Sequence, residues 1–328
     1  MKTEVVKELI SENGTDQRID NFLFKRYKNV PKSHIYQLLR SGQVRVNGKR
    51  IDFHYRLALG DLIRIPPIAV PATAAIERRV ISKTPPLHVI FEDEALLVVD
   101  KPSGIAVHGG SGISFGVIEQ LRAQHPEMRF LELVHRLDRE TSGVLLLAKK
   151  RSALVALHQQ LRSGHTEKHY QVLVRGNWPN TRQHVKLPLI KYVTQEGERR
   201  VTVATGKHNE SDKFSSSRTM DSHTIFTLRR TWRDYSLLNA ELKTGRTHQI
   251  RVHLAHLGYP IIGDSKYGDF AINKQLSRDR NSGNLERMFL HAASMLINHP
   301  LSGQPLKLMA NLPADLQAFL SHLDAQLR

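Results

Sequence analysis

Cysteine is absent from the 328 residues. Disulfide scaffolds, thiolate zinc sites, iron–sulfur clusters and thiol nucleophiles are thereby excluded, and a reducing, cytoplasmic setting fits. Acidic side chains are scarce beside basic ones: 31 Asp and Glu stand against 48 Lys and Arg, a net charge of +17. That deficit disfavours acidic calcium-binding modules and points to a polyanionic partner, nucleic acid ahead of an anionic membrane surface. The opening MKTEVVKELISENGTD is charged throughout and lacks the apolar stretch of a secretion signal. The uncharged run Ile65–Ile76 is broken by Pro66, Pro67 and Pro71 and is too short to cross a bilayer. Internal repeats and low-complexity tracts are missing as well. The remainder reads as a soluble globular chain. Its 40% hydrophobic content suits buried cores, and its length suits about two domains of ~150 residues.

From Arg18 to Ile65 the pattern describes a small unit, after an extension over 1–17. Ile19, Phe22 and Leu23 recur at helical spacing; Ser33 is an N-cap for a second helix at Ile35–Leu39; and Val44–Val46 leads through Asn47-Gly48 into a hairpin. Residues 18–64 hold eleven Lys and Arg against three acids. A surface that repels itself gains no stability from such an excess, so a partner explains it better than chance. Five prolines in 66–86 mark a linker, which gives divisions of 18–66, 67–86 and 87–328. After Leu87, short strands are expected at 88–91, 96–99, 144–147, 170–174, 225–228, 235–242 and 292–297. Helices are expected at 115–124, 152–162, 247–257 and 313–326. This order predicts a mostly antiparallel α+β domain rather than repeated βαβ units.

Chemistry-bearing residues concentrate in HRLDRETSG (135–143), directly ahead of the apolar VLLLA. Asp138 sits between Arg136 and Arg139, which favour its ionised form; such a carboxylate at the mouth of a buried strand is a nucleophile or a base, or else a helix cap or half of an ion pair. In LKTGRTHQIRVHL (242–254), Thr247 is read as the cap of a helix, and Arg246 at its start as a partner for an acid or a phosphate, or as an ordinary entry arginine. His248, His253 and His256 lack the HExxH spacing of a zinc helix. Gly109–Gly112 is a weak phosphate-loop candidate without the Walker ending, and no nucleotide loop accompanies HRLD as it would in a kinase. Tyr170 is either a core aromatic or a platform for a base.

Taken together, HRLDRETSG, KHYQVLV around Tyr170, LKTGRTHQIRVHL, IIGDSKYG (261–268), FLHA (289–292), DKPSG (100–104) and VHGG (107–110) resemble the RluA family of pseudouridine synthases. RIDNFL, SHIYQLLRSGQVRVNGKR and LGDLIRI resemble the S4 RNA-binding domain. The combination, with VHGGSG and the insertion at 206–221, is most similar to members acting on large-subunit (23S) ribosomal RNA. The resemblance implies base flipping and isomerisation of uridine, with no cofactor and no metal. It implies a monomer with no protein partner and no membrane. It also implies Asp138 as the catalytic aspartate, Tyr170 stacked on uracil and available as a later base, Arg246 paired with Asp138, and Arg136 filling the gap left by the base. Further RNA contacts are expected at His135 and Arg139 and, on the small unit, at Lys32, Ser33, Arg40, Arg45 and Lys49.

Overall fold

A computed structural model describes residues 4–27, 30–68, 86–109, 115–195, 197–204, 219–278 and 285–326. The amino-terminal unit comprises β1 (Val6–Leu9), α1 (Ile19–Arg26), α2 (Lys32–Arg40), β2 (Arg45–Val46), β3 (Lys49–Arg50) and β4 (Leu62–Ile65). Its strands lie antiparallel in the order β1-β4-β2-β3. Alternation turns Val46, Ile63 and Ile65 inward against Ile19, Leu23, Ile35 and Leu39, and leaves Arg45 and Arg64 outside. Asn47 (φ 50°) and Gly48 (φ 77°) close the hairpin in the left-handed region that Asn-Gly favours.

Two local expectations fail in this unit. The 1–17 extension is in part a strand: Val6–Leu9 pairs residue for residue with Leu62–Ile65, a role that four residues acquire only once that neighbour is alongside. The second helix starts at Lys32 with Pro31 as its cap, and Ser33 makes no capping bond, because the φ of Pro31 (−54°) already suits a helix entry.

The larger unit runs β5 (His88–Glu92), β6 (Leu96–Lys101), α3 (Val117–Gln124), β7 (Glu132–Leu133), β8 (Ser142–Ala148), α4 (Arg151–Ser163), β9 (Glu167–Arg175), β10 (Arg182–Lys186), β11 (Leu189–Val193) and β12 (Arg199–Val203). It continues with β13 (His223–Thr231), β14 (Tyr235–Leu242), α5 (Gln249–His256), α6 (Phe270–Arg278), β15 (Leu290–Asn298), β16 (Pro305–Met309) and α7 (Ala314–Ala325). Its sheet has the order β10-β13-β14-β9-β15-β8-β6-β5, with β16 beside β15 and β7 beside β8, while β11 and β12 form a separate hairpin. Every described ladder is antiparallel except β15 with β8, so the molecule is α+β with a mixed, mostly antiparallel sheet. The strands β7, β10, β11, β12 and β16 and the α6 helix lie outside the sequence expectation.

β8 is buried along its whole length because both faces of the sheet are covered. Leu145 and Leu147 pack with Leu97, Val99 and Val172, and Val144, Leu146 and Ala148 pack with Leu96, Val98 and Leu157. The α5 helix adds Ile250 and Leu254 to the first face. Register then fixes the site: Gly143, Ala292, Tyr170 and Ala240 form one row across β8, β15, β9 and β14. Gly143 has φ 112°, and a Cβ there would stand 2.2 Å from the Ala292 carbonyl oxygen, so only glycine permits this approach.

The two units touch through Lys25 Nζ with Glu132 Oε1 (2.8 Å) and through Arg151 Nε donating to the Thr15 carbonyl (3.0 Å). Among the described residues no helix is long and apolar enough to cross a membrane. Residues 69–85 of the expected linker, 110–112 of the glycine loop and 205–218 of the insertion lie outside the described residues.

Candidate active site

Asp138 occupies the loop between β7 and β8, anchored in the core by buried Leu137 and closed by the Thr141 amide donating to the Asp138 carbonyl (3.1 Å). A second loop staples it. Buried Lys101 donates from Nζ to the carbonyls of Pro102 (2.7 Å), Ile105 (2.8 Å) and Arg139 (3.1 Å), and Ser103 Oγ donates to the Glu140 carbonyl (2.7 Å). All three ammonium protons are thus used to hold the turn that follows the aspartate.

The arginine that meets Asp138 is Arg251, not Arg246. Arg251 Nη1 lies 3.1 Å from Asp138 Oδ2, while its Nε and Nη2 each make a 2.7 Å bond to the two oxygens of Asp264. Arg246 precedes α5, is exposed, and donates from Nε to the Asp221 carbonyl (2.9 Å). The difference is a matter of helix register: α5 is buried from Gln249 through Leu254, and Arg251 is the guanidinium carried inside. Buried Asp264 makes that possible. Burial works against its charge, but the bonds from Arg251 and from the amides of Lys266 and Tyr267 hold it below the usual carboxylate range. Arg251 is likewise held firmly charged by both carboxylates, against the cost of burial. Among the described residues, Asp138 Oδ1 has no hydrogen-bond partner and is available to a substrate.

His248 adds a third group. It caps α5 in the left-handed region (φ 53°), where a non-glycine residue costs about 1–3 kcal/mol, and Thr247 does not cap the helix. The Tyr267 hydroxyl accepts from the Val201 amide (3.1 Å) and shares a hydrogen bond with His248 Nδ1 (2.8 Å). The other ring nitrogen, Nε2, lies 4.0 Å from Asp138 Oδ2. Burial lowers the pKa of His248 against the pull of Asp138.

A cleft of about 800 Å³ opens at these groups, walled by Leu137, Asp138, Tyr170, Leu242, Ile250 and Arg251 among others. This is room for a nucleotide-sized ligand. Tyr170 is buried; burial first, and the charge of Asp138 second, push its phenol above the ordinary tyrosine value. At neutral pH it is a protonated aromatic surface.

The remaining expected contacts divide. Arg136 is exposed and lines both this cleft and an adjoining cavity of about 440 Å³. Arg139 is exposed and paired with Glu140 (2.8 Å). His135 lines the cleft; its Nε2 accepts from the Leu146 amide (3.1 Å), and burial, helped by nearby Lys168, pushes its pKa down to about 4, so it is neutral there. Lys32 is exposed with Nζ 5.3 Å from the centre of the Phe24 ring, above a surface cavity that also takes in Arg18, Lys25, Arg56 and Arg151. Ser33, Arg40, Arg45 and Lys49 are exposed on α2 and the β2–β3 hairpin. The glycine-loop reading weakens, because the Glu119 carboxylate already accepts from the amides of Gly109 (3.1 Å) and Gly116 (3.0 Å) at the start of α3. His253 is buried between the hydroxyls of Ser222 (2.8 Å) and Thr224 (3.0 Å), and no group of three or more potential metal ligands occurs among the described residues.

Arg251, Asp264 and Lys101 were not singled out from the sequence, and His248 drew attention there only as a metal-ligand candidate. The available signal was an arginine flanked by apolar residues inside a helix, together with an aspartate closing the apolar pair Ile261-Ile262: two charges that burial obliges to meet.

Residues 95–256 match the RNA pseudouridylate synthase family and residues 17–63 match the S4 domain. The chain is 47% identical to the ribosomal large subunit pseudouridine synthase C of Pasteurella multocida (strain Pm70), over 98% of this chain and 95% of that protein. It is also 47% identical to the protein of that name in Escherichia coli (strain K12), over 98% of this chain and 99% of the relative. The fold matches human RNA pseudouridylate synthase domain containing 1 with a TM-score of 0.56 at 22% identity, covering 70% of this chain and 84% of the human one.

Proposed function

The chain belongs to the RNA pseudouridylate synthase family, and on that premise we propose that it isomerises selected uridines of 23S ribosomal RNA, with Asp138 acting on a nucleoside flipped into the cleft. In this reaction the C1′–N1 bond of uridine breaks, the C1′–C5 bond forms, the C5 proton leaves to solvent and N1 takes up a proton. Atoms balance without an added group. The large-subunit substrate is supported by the names of the relatives with which this chain shares nearly its full length.

The observation that carries the reading is the placement of Asp138: it lines the cleft together with Tyr170 while Arg251 holds its Oδ2. A stacked uridine cannot present its sugar to a carboxylate from the side, so it must leave the helix at a cost of a few kcal/mol. Stacking on Tyr170, worth ~1–3 kcal/mol, and Arg136 filling the vacated stack offset that cost. The raised pKa of Tyr170 favours stacking over proton abstraction in the resting enzyme. Arg251, fixed by Asp264, holds one oxygen of Asp138 and orients it. The basic amino-terminal unit supplies phosphate contacts, and folded RNA shape supplies site choice.

Tritium release from 5-tritiated uridine in transcribed 23S RNA tests this. The wild type releases tritium and Asp138→Asn does not; absence of release by the wild type defeats the proposal.

A further inference from the structure

Lys168 enters the cleft from β9 two positions before Tyr170, on the same face, because alternate strand residues share a side. Its Nζ lies across from Gly245, 3.9 Å from where a Cβ on that residue would stand. Of the other cations lining the cleft, Lys243 pairs with Glu241, Arg246 with the Asp221 carbonyl and Arg251 with two carboxylates, while Arg136 and Arg162 stand exposed at its rim. Lys168 has no hydrogen-bond or ion-pair partner among the described residues. Burial alone lowers its pKa, and no carboxylate stands near enough to raise it.

A partly desolvated ammonium without a counter-ion costs free energy, and the fold offers it none. Among the described residues Asp138 is the sole acidic one lining the cleft, and its ion-pair contacts run to Arg251 and His248, not to Lys168. The two charges therefore mark separate stations: the carboxylate meets sugar and base, and the ammonium awaits an anion brought from outside.

We propose that Lys168 receives a backbone phosphate of the RNA strand beside the reacting uridine, through a charge-assisted bond from Nζ to a non-bridging oxygen. The assignment rests on the cleft being the uridine site. Lys168 is then a binding residue of the cleft, distinct from the surface cations of the amino-terminal unit, and it fixes how deeply the strand is drawn in.

The test compares Lys168→Met and Lys168→Arg with the wild type on transcribed 23S RNA. Lys168→Met raises KM by ~10-fold while kcat changes far less, and the logarithmic salt dependence of binding becomes shallower by ~0.7–0.9, one phosphate contact. Lys168→Arg restores most of both. Unchanged KM and slope in Lys168→Met overturn the assignment, as does a collapse of kcat at unchanged KM, which would place the ammonium at the reacting base. Melting curves check folding, and Lys168→Gln replaces Met if the latter destabilises the chain. The salt slope is also measured in the Asp138→Asn background, where no turnover is needed. Failure of the wild type to release tritium would therefore defeat the isomerase reading alone, while the slope still decides the role of Lys168.

Discussion

Asp138 is set to react by what surrounds it rather than by its neighbours in the chain. One oxygen is held at 3.1 Å by a guanidinium that Asp264 grips at two points, so the carboxylate cannot rotate away from the cleft. Asp138→Asn is nearly isosteric, and buried Arg251 keeps Asp264. Turnover should fall by ~10³-fold or more while thermal stability and RNA affinity stay close to wild type. Arg251→Met strands a buried carboxylate and should cost ~3–5 kcal/mol in urea unfolding as well as activity. Arg246→Met, at an exposed position, should leave the unfolding midpoint unchanged, and equal destabilisation by the two would refute the assignment of Arg251 as the site's arginine. The carboxylate was legible because HRLD precedes an apolar strand. Its partner was not, because two arginines five residues apart in LKTGRTHQIR look alike until folding puts Arg251 on the buried α5 and leaves Arg246 exposed ahead of it.

At the scale of elements, the site exists because three strands are in register. β8 and β15 are parallel neighbours for only two residue pairs, and one of them, Gly143 with Ala292, continues through Tyr170 on β9. Gly143→Ala places a methyl 2.2 Å from a carbonyl oxygen at φ 112°. It should destabilise the protein by ~3 kcal/mol or more and disturb the loop carrying Asp138. Denaturant titration together with tritium release checks this; a fully stable and active variant contradicts the row. The strands and helices around the site were readable from apolar period and turn residues, since β8, β9, β14, α4 and α7 each bury a regular set of side chains. β11, β12 and α6 were not, because their order comes from neighbours: Val201 is tied to the Tyr267 hydroxyl, and Asn273 of α6 accepts from the Gly263 amide (2.8 Å).

Polar contacts join the two units of the molecule: an exposed ion pair, Lys25 with Glu132, which contributes little in water, and a part-buried bond from Arg151 to the Thr15 carbonyl. We propose that the divisions near residues 66 and 87 are domain boundaries. Deleting residues 1–80 should then leave the larger unit folded, with a melting temperature within a few degrees, while weakening RNA binding and flattening its salt dependence as Lys32, Arg40, Arg45 and Lys49 are lost. A truncated chain that cannot fold would place the boundary elsewhere. Stability should also fall with acid earlier than carboxylates alone dictate. Burial pushes His253 down to about 4, whereas the unfolded chain takes up that proton near 6.5, so protons favour unfolding from about pH 6.5 downward. The loss reaches on the order of 3 kcal/mol by pH 4, seen as a falling melting temperature that His253→Gln should flatten.

Composition, charge and local pattern were enough to determine the polyanionic partner, the α+β class, the small basic unit and the loop that bears the aspartate, because each is written in adjacent residues. Folding alone decided which arginine reaches that aspartate, which histidine stays neutral, and that Lys168 is left facing the cleft without a partner. Those outcomes depend on groups brought together from distant parts of the chain, and on how much water remains between them.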